Sequence, residues 1–244
     1  MIKTGTLEAG IPMRRFANLA SLGDGNHGEA SRTEIITPDL AQGTGPQAFL
    51  VEQGPLSLNA PHFHTQDQFQ VVVAGNGTLG RQTVAPYMVH YAGAHTGYGP
   101  LLAGPSGFSY LTLRARPDPG PPHYLPAQRA LMKDVPRVNV HSEAVEIDAA
   151  MGFPEGADDC AVVLDRRADA GTAWLLRLPP DTTRAAPHLP GRGGAFRVVL
   201  QGALLAGDGP LGRLACMFVD ALDADTPLQA GPDGAQVLVL QFPS

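Results

Sequence analysis

The chain has 244 residues and a formal net charge of −6 at pH 7, from 17 Lys and Arg against 23 Asp and Glu. It carries no basic run, which sets aside nucleic acid and anionic membrane surfaces as partners. It also has no apolar stretch of about 18 residues to span a bilayer. Glycine and proline are abundant, at 29 and 23 residues; without a short period they signal many turns, not a collagen-like fibre.

In chain order, the opening stretch MIKTGTLEAG lacks an apolar leader core, so a cytoplasmic protein is expected. Short apolar runs follow: FQVVVAG and FSYLTLRA in the first half, then WLLRLP, FRVVLQG and AQVLVLQF in the second. Their length and β-branched content predict strands. The separators GNG, GPSG, GDGP and GPDG are turn chemistry. Between the halves lies Arg116 to Arg137, too rich in proline before Ala127 for a continuous helix, with room for a short helix from Ala127 to Lys133. Cys160 and Cys216 do not form a zinc-type pair. Two reduced, buried thiols are expected, with a single bridge as the alternative.

The halves repeat each other with a period of about 126 residues. AFLVEQGPLSLNAPHFH (Ala48 to His64) resembles AWLLRLPPDTTRAAPHLP (Ala173 to Pro190). QFQVVVAGNGTLG (Gln68 to Gly80) resembles AFRVVLQGALLAG (Ala195 to Gly207), and Gly99 to Arg114 resembles Thr226 to Phe242. Three matched blocks in one order imply two copies of one domain: an N-terminal copy over 1–115, a Pro-rich linker over 116–137 and a C-terminal copy over 138–244. Short strands with frequent turns predict an all-β sandwich or barrel for each.

The chemistry concentrates in APHFHTQDQFQVVVAGNG (Ala60 to Gly77). Residues i and i+2 of a strand share a face. His62 and His64 therefore point together, about 6–7 Å apart along the strand, as two imidazoles gripping one ion would. Gln68 can return to that face through the TQD turn.

The pattern His62-x-His64-x-x-x-Gln68, with Gly75 seven residues after the glutamine, resembles the first motif of the cupin superfamily. The resemblance implies a jelly-roll (double-stranded β-helix) barrel, so the two copies would make a bicupin. Cupins usually carry glutamate where this chain has Gln68; glutamine serves as a ligand in some. Three or four neutral ligands would leave the full charge on the ion and favour an anionic partner. The second motif is irregular. His90, inside a strand-like run, and His95, after Ala-Gly-Ala, both compete for the remaining ligand place. His90 is preferred because a strand holds a ligand more firmly than a turn. Tyr98 and Gln70 are the candidates for contacts to substrate, with Tyr91 and Arg81 as further residues of the barrel mouth. Asp67 could support an imidazole from behind. In the second copy His188 matches His62, but Pro190 and Ala195 replace His64 and Gln68, so that barrel is expected to be metal-free. His27, His123 and His141 have no sequence partners, and Trp174 reads as core.

The donor set suits one divalent first-row ion, with Fe(II) favoured and Mn, Ni or Zn as alternatives. The resemblance then implies a mononuclear metal-dependent enzyme. The preferred reading is an Fe(II)-type dioxygenase acting on a small enol, diketone or anionic compound. The alternatives are a non-oxidative metal-dependent isomerase, lyase or hydrolase, and a non-catalytic small-molecule-binding bicupin. A small-molecule substrate is the expected partner, and pairing of exposed sheet edges makes a homodimer an expectation as well.

Overall fold

The computed structural model describes residues 1–147, 160–165, 169–207 and 209–244. It divides into two compact units, Gly10–Ala144 and a unit made of Met1–Ala9 with Val145–Ser244. Every predicted strand run forms a strand, and each unit is an antiparallel sheet system of jelly-roll type.

In the first unit the sheet runs from Asn139–His141 through Val89–Ala92, Gln68–Leu79, Leu101–Arg114, Gln47–Gln53 and Glu29–Ile36 to Arg15–Asn18. Gln70 lies opposite His90 on one side and Thr112 on the other. Alternation along these strands turns Gln68, Gln70 and Val72 inward with Tyr110, Thr112 and Arg114. Val72, Ala92, Tyr98, Phe108 and Tyr110 make the apolar part of this interior. Gly75 has a φ of +73°, and a Cβ there would stand 2.2 Å from the Gly107 carbonyl oxygen. Only glycine fits this close crossing of two strands. Gly202, its match in the second copy, has a φ of +70°.

In the second unit the order is Ile2–Gly5, Cys216–Val219, Ala195–Ala206, Leu228–Gln241, Thr172–Leu178, Cys160–Leu164. Arg197 lies opposite Met217 and Val239, the places that His90 and Thr112 take around Gln70. The duplicated ladder thus keeps its register while its contents change. Here the interior is apolar: Trp174, Leu176, Val199, Met217, Val237 and Val239 are all buried. Each such side chain contributes about 1.5–3 kcal/mol on burial. Arg197, 2% exposed, fills the end of this barrel and donates to the carbonyls of Thr226 (2.6 Å), Ala224 and Pro227 (both 3.4 Å). No disulfide joins Cys160 and Cys216; Cys216 is buried as expected, whereas Cys160 is only half-buried on the outer strand Cys160–Leu164.

The division shifts the expected boundaries of 1–115, 116–137 and 138–244 in two places. Ile2–Gly5 pairs with Cys216–Val219 and so belongs with the C-terminal copy. The Pro-rich stretch and the residues after it up to Ala144 pack into the first unit, the stretch not standing apart as a linker: His123–Tyr124 pairs with His62–Phe63, and beyond the stretch Asn139–His141 pairs with Val89–Ala92. Its helical part is a single 3-10 turn, Arg129–Leu131. No helix among the described residues is long and apolar enough to cross a membrane.

Candidate metal centre

His62 and His64 sit either side of Phe63 at the mouth of the first barrel, both buried, with ring centroids 5.3 Å apart and ring planes at 86°. Each is anchored through Nδ1. His62 Nδ1 lies 2.7 Å from the Ala60 carbonyl oxygen, which can only accept, so Nδ1 carries the proton. His64 Nδ1 lies 2.6 Å from Asp118 Oδ2, and Thr65 donates its hydroxyl to the other carboxylate oxygen at 2.8 Å. Both imidazoles therefore keep a lone pair on Nε2. Burial holds the His62 pKa down to about 4, so the ring is neutral at pH 7. His64 is also held low, by burial and then by the charge of Arg114. Burial raises the Asp118 pKa, but the hydrogen bond from His64, the Thr65 hydroxyl and Arg114 outweigh it and keep the carboxylate ionised.

The backbone N–H groups of Tyr98 and His62 donate to each other's carbonyls at 3.0 and 3.1 Å, clamping the two residues side by side. The Tyr98 oxygen lies 2.9 Å from His62 Nε2 and 2.7 Å from Gln68 Nε2. Because His62 Nε2 can only accept, Tyr98 donates to it and accepts from Gln68. Gln68 Oε1 in turn accepts from Arg114 Nε at 3.1 Å and Nη2 at 2.8 Å, and Arg114 Nη1 donates to Gln47 Oε1 at 3.2 Å. The chain of donors runs one way, from Arg114 through Gln68 and Tyr98 to His62. Burial pushes the Tyr98 phenol well above its ordinary pKa. Arg114 is 4% exposed, and no carboxylate hydrogen-bonds it among the described residues.

The expected ligands divide accordingly. The oxygen of Gln68 belongs to Arg114, so Gln68 does not offer it to the His62–His64 pair. His90 is buried too, with Nδ1 2.7 Å from Gln70 Oε1 and Nε2 3.0 Å from Asn139 Oδ1. A neutral imidazole donates once, so one of these amides must present its NH₂ group instead. Burial, then the neighbouring His141, lowers the His90 pKa to about 3. His141 stacks on His90 with centroids 4.5 Å apart. Gln70 is thus bonded to His90, whose ring centre lies 5.2 Å from that of Tyr98. His95 adopts a φ of +57° in a turn, its backbone N–H donating to the His64 carbonyl, and its ring packs by Phe63, on the opposite side of that strand from His62 and His64. Asp67 accepts from the Ala94 backbone instead of supporting an imidazole. Tyr91 packs against Phe69, and Arg81 lies in an exposed turn. His123 stacks on Phe63, and His27 reaches the Leu56 carbonyl.

Two functional residues escaped the sequence reading. Asp118 sits in the proline-rich stretch, where no spacing ties it to His64. Arg114 did leave a signal, since alternation from Tyr110 through Thr112 points it inward beside Gln68.

A divalent ion fits two of the proposed ligands well. Two imidazoles sharing one ion at Zn–N distances of about 2.0–2.1 Å place their ring centres about 5 Å apart, close to the 5.3 Å found here. The carboxylate behind His64 and the carbonyl behind His62 are the supports that fix such rings for ligation. No group of three His, Cys, Asp or Glu side chains suited to a metal occurs among the described residues.

No family model matches the chain, and no curated protein does. Solved structures do. A candidate dioxygenase from Nostoc punctiforme aligns over 94% of this chain and 82% of its own at 15% identity and a TM-score of 0.56. Escherichia coli pirin YhhW, solved in complex with nickel(II), aligns over 100% and 99% at 13% identity and a TM-score of 0.55. Bacillus subtilis oxalate decarboxylase, in a study of its Mn(II) centres, aligns over 94% and 77% at 9% identity and a TM-score of 0.54. The chain has the cupin fold, twice over. At these identities the likeness is of fold.

Proposed function

We propose that this bicupin is a metal-dependent enzyme whose first barrel holds one divalent ion through His62 and His64 and acts on a small anionic or enolisable compound. The observation that carries this reading is the paired anchoring of the two imidazoles, each with Nδ1 fixed on an oxygen and Nε2 left as a donor. Asp118 holds the orientation and tautomer of His64, and Ala60 does so for His62. Arg114, buried without a carboxylate, supplies positive charge that favours an anion nearby. A surface cavity of about 490 Å³, lined by Thr96, Gly97, Leu125, Met132, Arg129 and Arg137, abuts the segment leading to Tyr98. Its apolar floor and the Arg129 guanidinium suit a small carboxylate or enolate, while Arg137 donates to the His95 and Lys133 carbonyls.

A bound divalent ion would act as a Lewis acid towards such a compound and, if redox-active like Fe(II), would let O₂ react with it there. Fe(II) is the proposed metal, with Mn, Ni and Zn as alternatives, and dioxygenation of an enol or diketone is the preferred reaction. Anaerobic reconstitution with Fe(II), followed by oxygen uptake on a panel of enols, diketones and oxo acids, tests it. Uptake that depends on His62 and His64 supports the oxygenase; turnover with zinc and none with any redox metal contradicts it. The second reading, a non-oxidative metal-dependent isomerase, lyase or hydrolase, uses the same ion as a Lewis acid without O₂. Ligand binding that persists without metal in His62→Ala would instead mark a non-catalytic binding protein. A homodimer is part of the proposal, since Arg15–Asn18 is an outer strand with Phe16 80% exposed; sedimentation at a monomeric mass would remove it.

A further inference from the structure

The one-way chain from Arg114 to His62 sharpens the metal-dependent reading, on which this inference rests. We infer that the third protein ligand of the ion is the phenol oxygen of Tyr98, and that Gln68, standing where cupins usually carry glutamate, is a positioning residue behind it.

Three observations converge. First, the Gln68 oxygen is held by two N–H groups of Arg114, at 3.1 and 2.8 Å, and Arg114 is fixed by Gln47 and lies by the Phe49 ring. Turning that oxygen to the ion would swing the Gln68 NH₂ group onto the guanidinium, donor against donor, and strip a buried cation of its main acceptor. Second, the Tyr98 oxygen is already placed. Two donors bound to one ion at about 2.0–2.2 Å lie about 3 Å apart, and this oxygen lies 2.9 Å from His62 Nε2. The reciprocal backbone hydrogen bonds between the two residues hold their main chains side by side. Third, the charges balance. Two neutral imidazoles leave the dipositive ion compensated only by the Asp118 carboxylate behind His64, and Arg114 has no carboxylate bonded to it among the described residues. A ligated phenolate oxygen, accepting from Gln68 at 2.7 Å, puts one negative charge between two cations. On ligation the ion replaces the O–H proton, which passes to solvent; no electron is transferred.

The test loads the full-length protein with ferric iron and records its visible absorption, then repeats this with Tyr98→Phe and Gln68→Ala alongside metal titrations. A tyrosinate-to-iron charge-transfer band in the wild type supports the inference. In Tyr98→Phe the band should vanish and the affinity should weaken by about 10-fold or more. Gln68→Ala should keep both ion and band, with the band moved in energy because the N–H to the phenol oxygen is gone. Tight metal binding by the wild type without the band overturns the inference and leaves the metal-dependent reading standing. So does loss of metal in Gln68→Ala with retention in Tyr98→Phe. A wild type that binds no metal while folded overturns the underlying reading. The wild-type spectrum decides even if a variant fails to fold.

Discussion

Asp118 accepts the Nδ1–H of His64 at 2.6 Å across 54 residues of chain. With the Thr65 hydroxyl bond and the pairing of His123–Tyr124 with His62–Phe63, it ties the proline-rich stretch to the first barrel, and it fixes which nitrogen of His64 is free to bind. Asp118→Asn removes the charge and leaves the amide free to present its NH₂ group to the ring. We expect metal affinity to fall by about 10- to 100-fold with the fold intact. A competition titration against a chromogenic chelator reads this directly, and unchanged affinity would show that the carboxylate plays no supporting part.

The metal-free protein should lose stability in acid, and in one barrel first. His62 and His90 are held near 4 and 3 in the folded chain, by burial above all, against an unfolded value of about 6.5. Unfolded histidine therefore binds a proton before folded histidine does. The stability is complete above about pH 6.5 and drains away as pH falls towards 4, on the order of 3 kcal/mol for His62 alone. All five tyrosines lie in the first unit and the single tryptophan, Trp174, in the second. Near-ultraviolet tyrosine signals should therefore show a urea midpoint that drops between pH 7 and pH 4.5. A midpoint flat over that range would contradict the burial of neutral imidazoles.

Much of the fold was legible in the residues. Alternating runs such as FQVVVAG and AQVLVLQF, closed by glycine turns, became strands because each presents one face to a core. The repeat foretold a duplicated ladder, down to Gly75 and Gly202. The His62–His64 pair was legible because the period of a strand is two. What was not legible depends on contacts that no spacing encodes. Asp118 lies far from His64 in sequence, and no spacing ties the Gln68 oxygen to the buried Arg114 guanidinium that donates to it. The first strand, Ile2–Gly5, joins the far copy because the free edge of Cys216–Val219 needed a partner, a demand invisible in a tetrapeptide.

Gly75 should tolerate no side chain. Gly75→Ala forces a φ of +73° on a residue that resists it and drives a methyl group into the Gly107 carbonyl. A loss of about 2 kcal/mol or more is expected from the tyrosine-reported unfolding transition. A loss under about 0.5 kcal/mol, the range of an ordinary surface change, would mean that the strand crossing is looser than described.

The second barrel should be structural. His188 has an exposed carboxylate, Asp225, 3.7 Å away, and Arg197 fills the space where a site would be. His188→Ala should leave metal stoichiometry unchanged. Arg197→Ala should strand three carbonyls and cost about 3 kcal/mol in the transition reported by Trp174. Half the metal lost with His188→Ala would make the second copy a binding site after all.

The most direct test of the metal centre is elemental analysis of the purified protein beside His64→Ala, each checked for native circular dichroism. The wild type should carry or take up one divalent transition-metal ion per chain, and His64→Ala should carry almost none. A folded wild type that neither contains nor binds such an ion, or a His64→Ala protein that holds it equally well, would contradict the proposed centre.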